Sequence, residues 1–278
     1  VTPDDFKHMS GLLRARSGLV LNEDKAYLLE SRLTPLTRKF GMKSLDELIA
    51  EVRGKKDSAL ITEIVEAMTT NESLFFRDTK PFEQLKNLVL PRLLKSRAAT
   101  KKIRIWSAAS SSGQEPYSIA MILKEADAQL SGWNIEIVAT DLSLEILQKA
   151  KSGIFSQFEV QRGLPIALLV KYFEQDGDKW RISDELRSMV KFRPFNLLDN
   201  PAPLGTFDIV YCRNVLIYFD QETKAQVLDS ISNIMPDDGV LYLGGAETVL
   251  GLTDKFQPVA GQRGLYQLTR SESMLLSA

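Results

Sequence analysis

From Lys101 onward, short apolar runs alternate with amphipathic stretches of helical period, and this alternation is the strongest pattern in the chain. KIRIW (102–106), IEIVAT (135–140), FDIVYC (207–212) and GVLYLGG (239–245) predict buried strands, and helices are predicted over about 114–127, 143–151 and 221–235. GLYQLTR (264–270) predicts an edge strand at the end. Strand-helix alternation implies a parallel, doubly wound α/β sheet with right-handed crossovers.

Two regions depart from that rhythm. Residues 1–70 read as an all-helical N-terminal domain of four helices: TPDDFKHMSGLLRARSG with its Thr cap, KAYLLESRLTPLTRKFG ending in basic residues and Gly, SLDELIAEVRG after a Ser cap, and SALITEIVEAMTT after Asp57. Pro35 would kink the second of them. Within 153–195, a turn at Asp176-Gly177-Asp178 separates short segments rich in aromatic and β-branched residues, predicting a small antiparallel β insertion at about 155–192. The expected organisation is therefore a helical domain over 1–70, a linker and cofactor-contacting segment over 71–100, and a sheet domain over 101–278 that carries the insertion.

Composition narrows the chemistry. At 278 residues with 44% apolar positions the chain can bury a real core. Its 35 Lys and Arg balance 36 Asp and Glu, so no whole-molecule attraction to nucleic acid is expected. Cys212 is the one cysteine, which points to a reducing compartment. No apolar run approaches a membrane span, and VTPDDFKHMS lacks a signal peptide's apolar core, so a cytoplasmic protein without membrane insertion is expected. The chain begins at Val1 rather than Met, so a preceding piece is expected. His8 is the one histidine, which leaves a Ser-His-Asp or Cys-His mechanism or a His/Cys metal cluster without its residues. No metal is expected.

The stretch WSAASSSGQEPYSIA (106–120) places small residues and an acid where the first strand passes into a helix. Small residues there let a nucleotide-type ligand approach the backbone at the strand's C-terminal edge, near the helix N-terminus. A sharp helix start explains Ser, Gly and Pro equally well, and G-x-G-x-x-G is absent. The second strand adds Asp141 at its end, 26 residues after Glu115, roughly the offset at which an acid can accept both ribose hydroxyls. Capping of the next helix is the other reading of Asp141, although Ser143 can do that itself. Asn214 follows the FDIVYC strand, where it would meet an adenosyl ligand's far end, while Asp208 and Arg213 read as structural. This set suits S-adenosylmethionine, which has a ribose diol, an amino acid and a sulfonium but no phosphate.

TTNESLFFRD (69–78), WSAASSSGQEPYSIAM (106–121), ATDLS (139–143), FNLLD (195–199) and CRNVLIYFD (212–220) together closely resemble the chemotaxis receptor methyltransferase (CheR) family. The motifs are in order and span nearly the whole chain. The resemblance implies a Rossmann-like methyltransferase sheet and methyl transfer from S-adenosylmethionine to chemoreceptor glutamates, with S-adenosylhomocysteine as product. It implies cofactor contacts at Asn71, Ser73, Arg77, Glu115, Asp141, Asn196, Leu197, Asn214 and Val215, and a role in the transfer step for Arg77 and Tyr218. Ser73 stands where Thr is common in the family and Gln114 where an acid is common.

For the partner, Lys25, Arg32 and Lys39 recur every seven residues on the second predicted helix, a loosely basic face that could meet an acidic receptor helix or be solvated without one. Some family members dock a receptor-tail peptide on the insertion. The short turn at 176–178 leads us to expect tail-independent action here. Separately, a monomer is expected. The rival readings are a methyltransferase of small molecules or RNA, a cofactor-binding adaptor without turnover, and a dinucleotide oxidoreductase, which the absent phosphate loop disfavours.

Overall fold

The computed structural model describes residues 1–54 and 59–270. The chain forms two compact units, Val1–Thr70 with Tyr218–Lys224, and Asn71–Ile217 with the residues from Ala225. Asp57, expected to precede the fourth helix, and residues 271–278 of the expected sheet domain lie outside the described residues.

The first unit is built on α1 (Pro3–Ser17), α2 (Tyr27–Lys39), α3 (Leu45–Gly54) and α4 (Ala59–Met68). Thr2 and Asp5 form a reciprocal capping box at the start of α1, with Pro3 in the first turn, where its missing N–H costs nothing. Apolar residues at helical spacing, among them Met9, Leu13, Leu29, Leu33, Ile64 and Met68, are buried together. Pro35 lies inside α2. The expected basic face is largely committed within this unit. Lys25 precedes α2 in a short 3-10 turn, the Arg32 guanidinium donates to the Met68 and Thr69 carbonyls at 2.7 and 3.1 Å, and Lys39 pairs with Glu63 at 2.6 Å.

The second unit opens at Asn71 with a non-helical stretch, which leads into a nearly continuous helical run, α5 (Lys80–Gln84), a π-turn (Leu85–Val89) and α6 (Leu90–Ser96). It buries Phe82, Leu85, Val89, Leu90 and Leu93 against the sheet. There follow β1 (Lys102–Ala108), α7 (Gln114–Glu125), β2 (Asn134–Asp141), α8 (Leu144–Ser152), β3 (Ile154–Ser156), α9 (Gln157–Gln161), α10 (Ile166–Tyr172), β4 (Phe173–Asp176), β5 (Lys179–Ile182), α11 (Asp184–Ser188), β6 (Val190–Pro194), β7 (Ile209–Tyr211), α12 (Gln221–Ser232), β8 (Val240–Tyr242), β9 (Phe256–Pro258) and β10 (Leu265–Leu268).

Among the described residues the main sheet has the order β6-β2-β1-β7-β8-β10-β9, parallel except for β10, which runs antiparallel to both neighbours. Ile105 of β1 pairs with Ile137 on one side and Ile209 on the other. Both faces of the central strands are covered, which is why their sequences are almost continuously apolar. Successive strands are added on one side of β1 up to β6 and on its other side from β7, so a crevice opens at the C-terminal ends of β1 and β7, the usual ligand position in an open α/β sheet. One face packs Tyr211 on Tyr242 at 4.4 Å, and on the other Trp106 lies between Phe195 and Phe207. At the opposite strand ends Asp208 accepts from Arg97 and from the Arg104 N–H, the structural role its position suggested.

The insertion is smaller than expected. Its sheet, β3-β5-β4, ends at Ile182, and β6, read as part of it, joins the main sheet beside β2. Gly177 and Asp178 make a two-residue turn between the paired residues Asp176 and Lys179, with Gly177 at φ 62°.

Candidate active site

Three loops and the segment before α5 bring most of the expected residues to the C-terminal ends of β2, β1 and β7. After β1 the chain turns through Ala109 (φ 53°), Ser111 (φ 50°) and Gly113 (φ 94°) before α7 begins. Two non-glycine residues in the left-handed region are costly, and their survival marks a loop fixed by its surroundings. Ser111 is the fixing point. Its N–H donates to Asp141 Oδ2 at 2.8 Å and its hydroxyl to the Asn71 carbonyl at 2.9 Å, so one serine ties Asn71 to Asp141.

Asp141 ends β2 and is 7% exposed. Its other oxygen accepts the Ser143 N–H at 3.0 Å, while Ser143 itself caps α8. Burial pushes its carboxyl pKa up, against the pull of the backbone N–H groups of Ser143, Ser111 and Leu142. The loop after β6 is tied to the same residue, because the Phe195 N–H donates to the Asp141 carbonyl. Asn196 then folds its Oδ1 back onto the Leu198 N–H at 3.0 Å, with Leu197 half-buried beside it.

Glu115, in the first turn of α7, accepts from the Ser107 hydroxyl at 2.8 Å and from Arg213 Nη1 at 3.0 Å. Burial raises its pKa, and the Arg213 charge opposes that rise. An acid at a helix start would suit a ligand bearing positive charge. In the fold Glu115 already has a cation. Arg213 continues to Asp78 and the Arg77 carbonyl, which brings the NESLFFRD segment to Glu115.

Asn214 adopts φ 60°, and its N–H donates to Glu247 Oε2 at 2.8 Å. The same carboxylate accepts the Val215 N–H at 3.0 Å and the Gly244 N–H at 2.6 Å. Sequence reasoning missed Glu247. It lies 33 residues from Asn214 with no spacing signal, and only the pairing of β7 with β8 brings it near. Ser73 and Arg77 are half-buried in the segment before α5, and the Arg77 guanidinium makes no hydrogen bond or ion pair among the described residues. Tyr218 ends a 3-10 turn (Leu216–Tyr218) and belongs to the helical unit, where its carbonyl accepts the Val20 N–H at 2.9 Å.

The donor set suits an adenosyl ligand without phosphate. Carboxylates rather than a cradle of free N–H groups stand at the strand ends, and the buried Ser110 hydroxyl in the β1 loop has no partner among the described residues. Among the described residues no group of His, Cys, Asp and Glu is gathered as a metal would require, and no helix is long and apolar enough to cross a membrane.

Residues 71–265 match the family description "CheR methyltransferase, SAM binding domain", and residues 4–69 match "CheR methyltransferase, all-alpha domain". The chain belongs to the CheR family. A Pseudomonas putida CheR relative, "Chemotaxis protein methyltransferase Cher2", is 43% identical over 265 residues, covering 94% of this chain and 96% of its own. A "Chemotaxis protein methyltransferase" of Vibrio parahaemolyticus is 42% identical over 269 residues, covering 95% and 96%. One from Borreliella burgdorferi is 35% identical over 256 residues, covering 90% of each. The expected family and fold class hold, and this CheR chain is an S-adenosylmethionine-dependent methyltransferase of chemotaxis.

Proposed function

We propose that this CheR chain transfers a methyl group from S-adenosylmethionine to glutamate side chains of chemoreceptor cytoplasmic domains, giving glutamate methyl esters and S-adenosylhomocysteine in the cytoplasm. One observation carries the reading. Every carboxylate of the site is already engaged by protein donors: Glu115 by Ser107 and Arg213, Asp141 by backbone N–H groups, Glu247 by three more, and Asp78 by Arg213. The Arg77 guanidinium is the charged group left over. A site with an available cation and no spare base suits an acceptor that is anionic and already ionised. A glutamate with a pKa of roughly 4.3 is such an acceptor at pH 7.

Asn71, Ser73, Arg77, Glu115, Asp141, Asn196, Leu197, Asn214 and Val215 would hold the cofactor, with Asp141 taking the ribose hydroxyls on its remaining lone pairs. When bound, the cofactor supplies an electrophilic methyl on a sulfonium. Arg77 orients the acceptor carboxylate through its guanidinium, and Tyr218 would hold the methyl-bearing end by its oxygen and ring face. What the residues contribute is alignment, which can supply roughly 7–11 kcal/mol without any proton transfer. No metal enters this scheme.

The test is label transfer from methyl-labelled S-adenosylmethionine to a chemoreceptor cytoplasmic fragment and to a version whose acceptor glutamates are glutamines. Label on the first alone is expected, and equal label on both would contradict the reading.

A further inference from the structure

Arg213 follows β7 directly, and its side chain is 1% exposed. Its fork serves acceptors on two separate segments. Nη1 donates to Glu115 Oε2 at 3.0 Å, while Nη2 donates to Asp78 Oδ2 at 2.7 Å and to the Arg77 carbonyl at 2.9 Å. The guanidinium also lies 5.7 Å from the centre of the Phe82 ring in α5.

What it grips is a strained stretch. Phe76, Asp78 and Thr79 have φ of 49°, 66° and 49°, so three of four consecutive residues around Arg77 occupy backbone regions that L side chains avoid. Such a path persists only where tertiary contacts hold it. Ser118 takes the Phe76 N–H at 3.0 Å on one flank, and Arg213 takes the 77–78 side of the stretch. The Arg77 guanidinium has no partner of its own among the described residues, so its position is set by the backbone beneath it.

We infer that Arg213 is a positioning residue for Arg77. From its anchor on Glu115 it fixes the left-handed path of residues 76–79 and so sets where the Arg77 guanidinium meets the acceptor carboxylate. This rests on the reading of Arg77 as the group that orients the acceptor. Lysine cannot replace it, because a single ammonium lacks the planar fork that spans Glu115, the Arg77 carbonyl and Asp78.

The experiment compares Arg213→Lys with Asp78→Ala, which releases the exposed end of the grip and leaves the Arg213–Glu115 pair intact. For each, kcat and KM for a receptor fragment, calorimetric affinity for S-adenosylhomocysteine, and amide exchange across residues 76–79 are measured, alone and with Arg77→Ala. A misplaced group costs on the order of tenfold to a hundredfold in rate, so kcat should fall by about that much in either variant, while cofactor affinity should fall no further than it does in Arg77→Ala. Exchange at 76–79 should accelerate, and in the Arg77→Ala background either change should cost nothing further. If Arg213→Lys fails to fold, Asp78→Ala carries the same expectation. Unchanged exchange, or losses that multiply with Arg77→Ala, would overturn the inference. Full kcat in Arg77→Ala would instead overturn the role of Arg77, and faster exchange in Arg213→Lys would then support the grip alone.

Discussion

Glu247 holds Asn214 from the loop after a neighbouring strand, β8. Its Oε2 accepts the Asn214 N–H at 2.8 Å and the Gly244 N–H at 2.6 Å, joining the loops that follow β7 and β8. The same contact leaves no room at Gly244, where a Cβ would stand 2.6 Å from Asn214 Nδ2 and 2.8 Å from Glu247 Oε2. Glu247→Gln puts a second donor where only donors converge and should destabilise the fold by about 1–3 kcal/mol. Gly244→Ala should cost a similar 1–3 kcal/mol or so by overpacking. Urea unfolding checks both, and midpoints equal to the parent protein's would contradict the arrangement.

Asp141→Ala should weaken S-adenosylmethionine binding by about 1–3 kcal/mol through lost hydrogen bonds to a charged group. Isothermal calorimetry measures it directly. Unchanged affinity would remove the ribose assignment.

Away from the site, Glu136 of β2 should dominate part of the acid response. Lys191, with support from Arg104, pulls its carboxyl from 4.5 down to about 2. A carboxyl depressed in the fold contributes stability that is complete above the unfolded pKa of 4.5 and is lost as pH falls through about 2. Melting temperature should therefore fall less steeply between those values in Glu136→Gln than in the parent. Parallel curves would show that the pair carries no linkage.

The strands and helices nearest the site were legible because burial on both faces makes β1, β2, β7 and β8 apolar runs, and because amphipathic helices lie between several of them. What escaped had physical reasons. Pro81 and Pro91 interrupt any helical pattern over 80–96, yet each falls in the first turn of its helix, and the π-turn at Leu85–Val89 leads into the second. The strand β6, VKFRP, has one buried residue in five and so lacks an apolar run, while β9 has three residues and ends in proline. In the site, the motif residues could be named from the chain, but their wiring could not. Arg213 looked structural because nothing in CRN shows that its fork reaches Glu115, Asp78 and the Arg77 carbonyl at once.

The β4–β5 turn has Gly177 and Asp178 alone between paired residues, which leaves little loop for docking a receptor tail. A chemoreceptor C-terminal pentapeptide should give no calorimetric signal, and measurable binding would overturn tail-independent action.

The most direct test of the account uses methyl-labelled S-adenosylmethionine and a chemoreceptor cytoplasmic fragment, scoring label released by base as methanol, with Arg77→Ala in parallel. The account predicts base-labile label with the parent enzyme and a loss on the order of a hundredfold or more with the variant, the scale of a lost positioning contact. Cofactor binding without methanol-releasing label would contradict carboxyl methylation, and full label with Arg77→Ala would contradict the role given to that arginine.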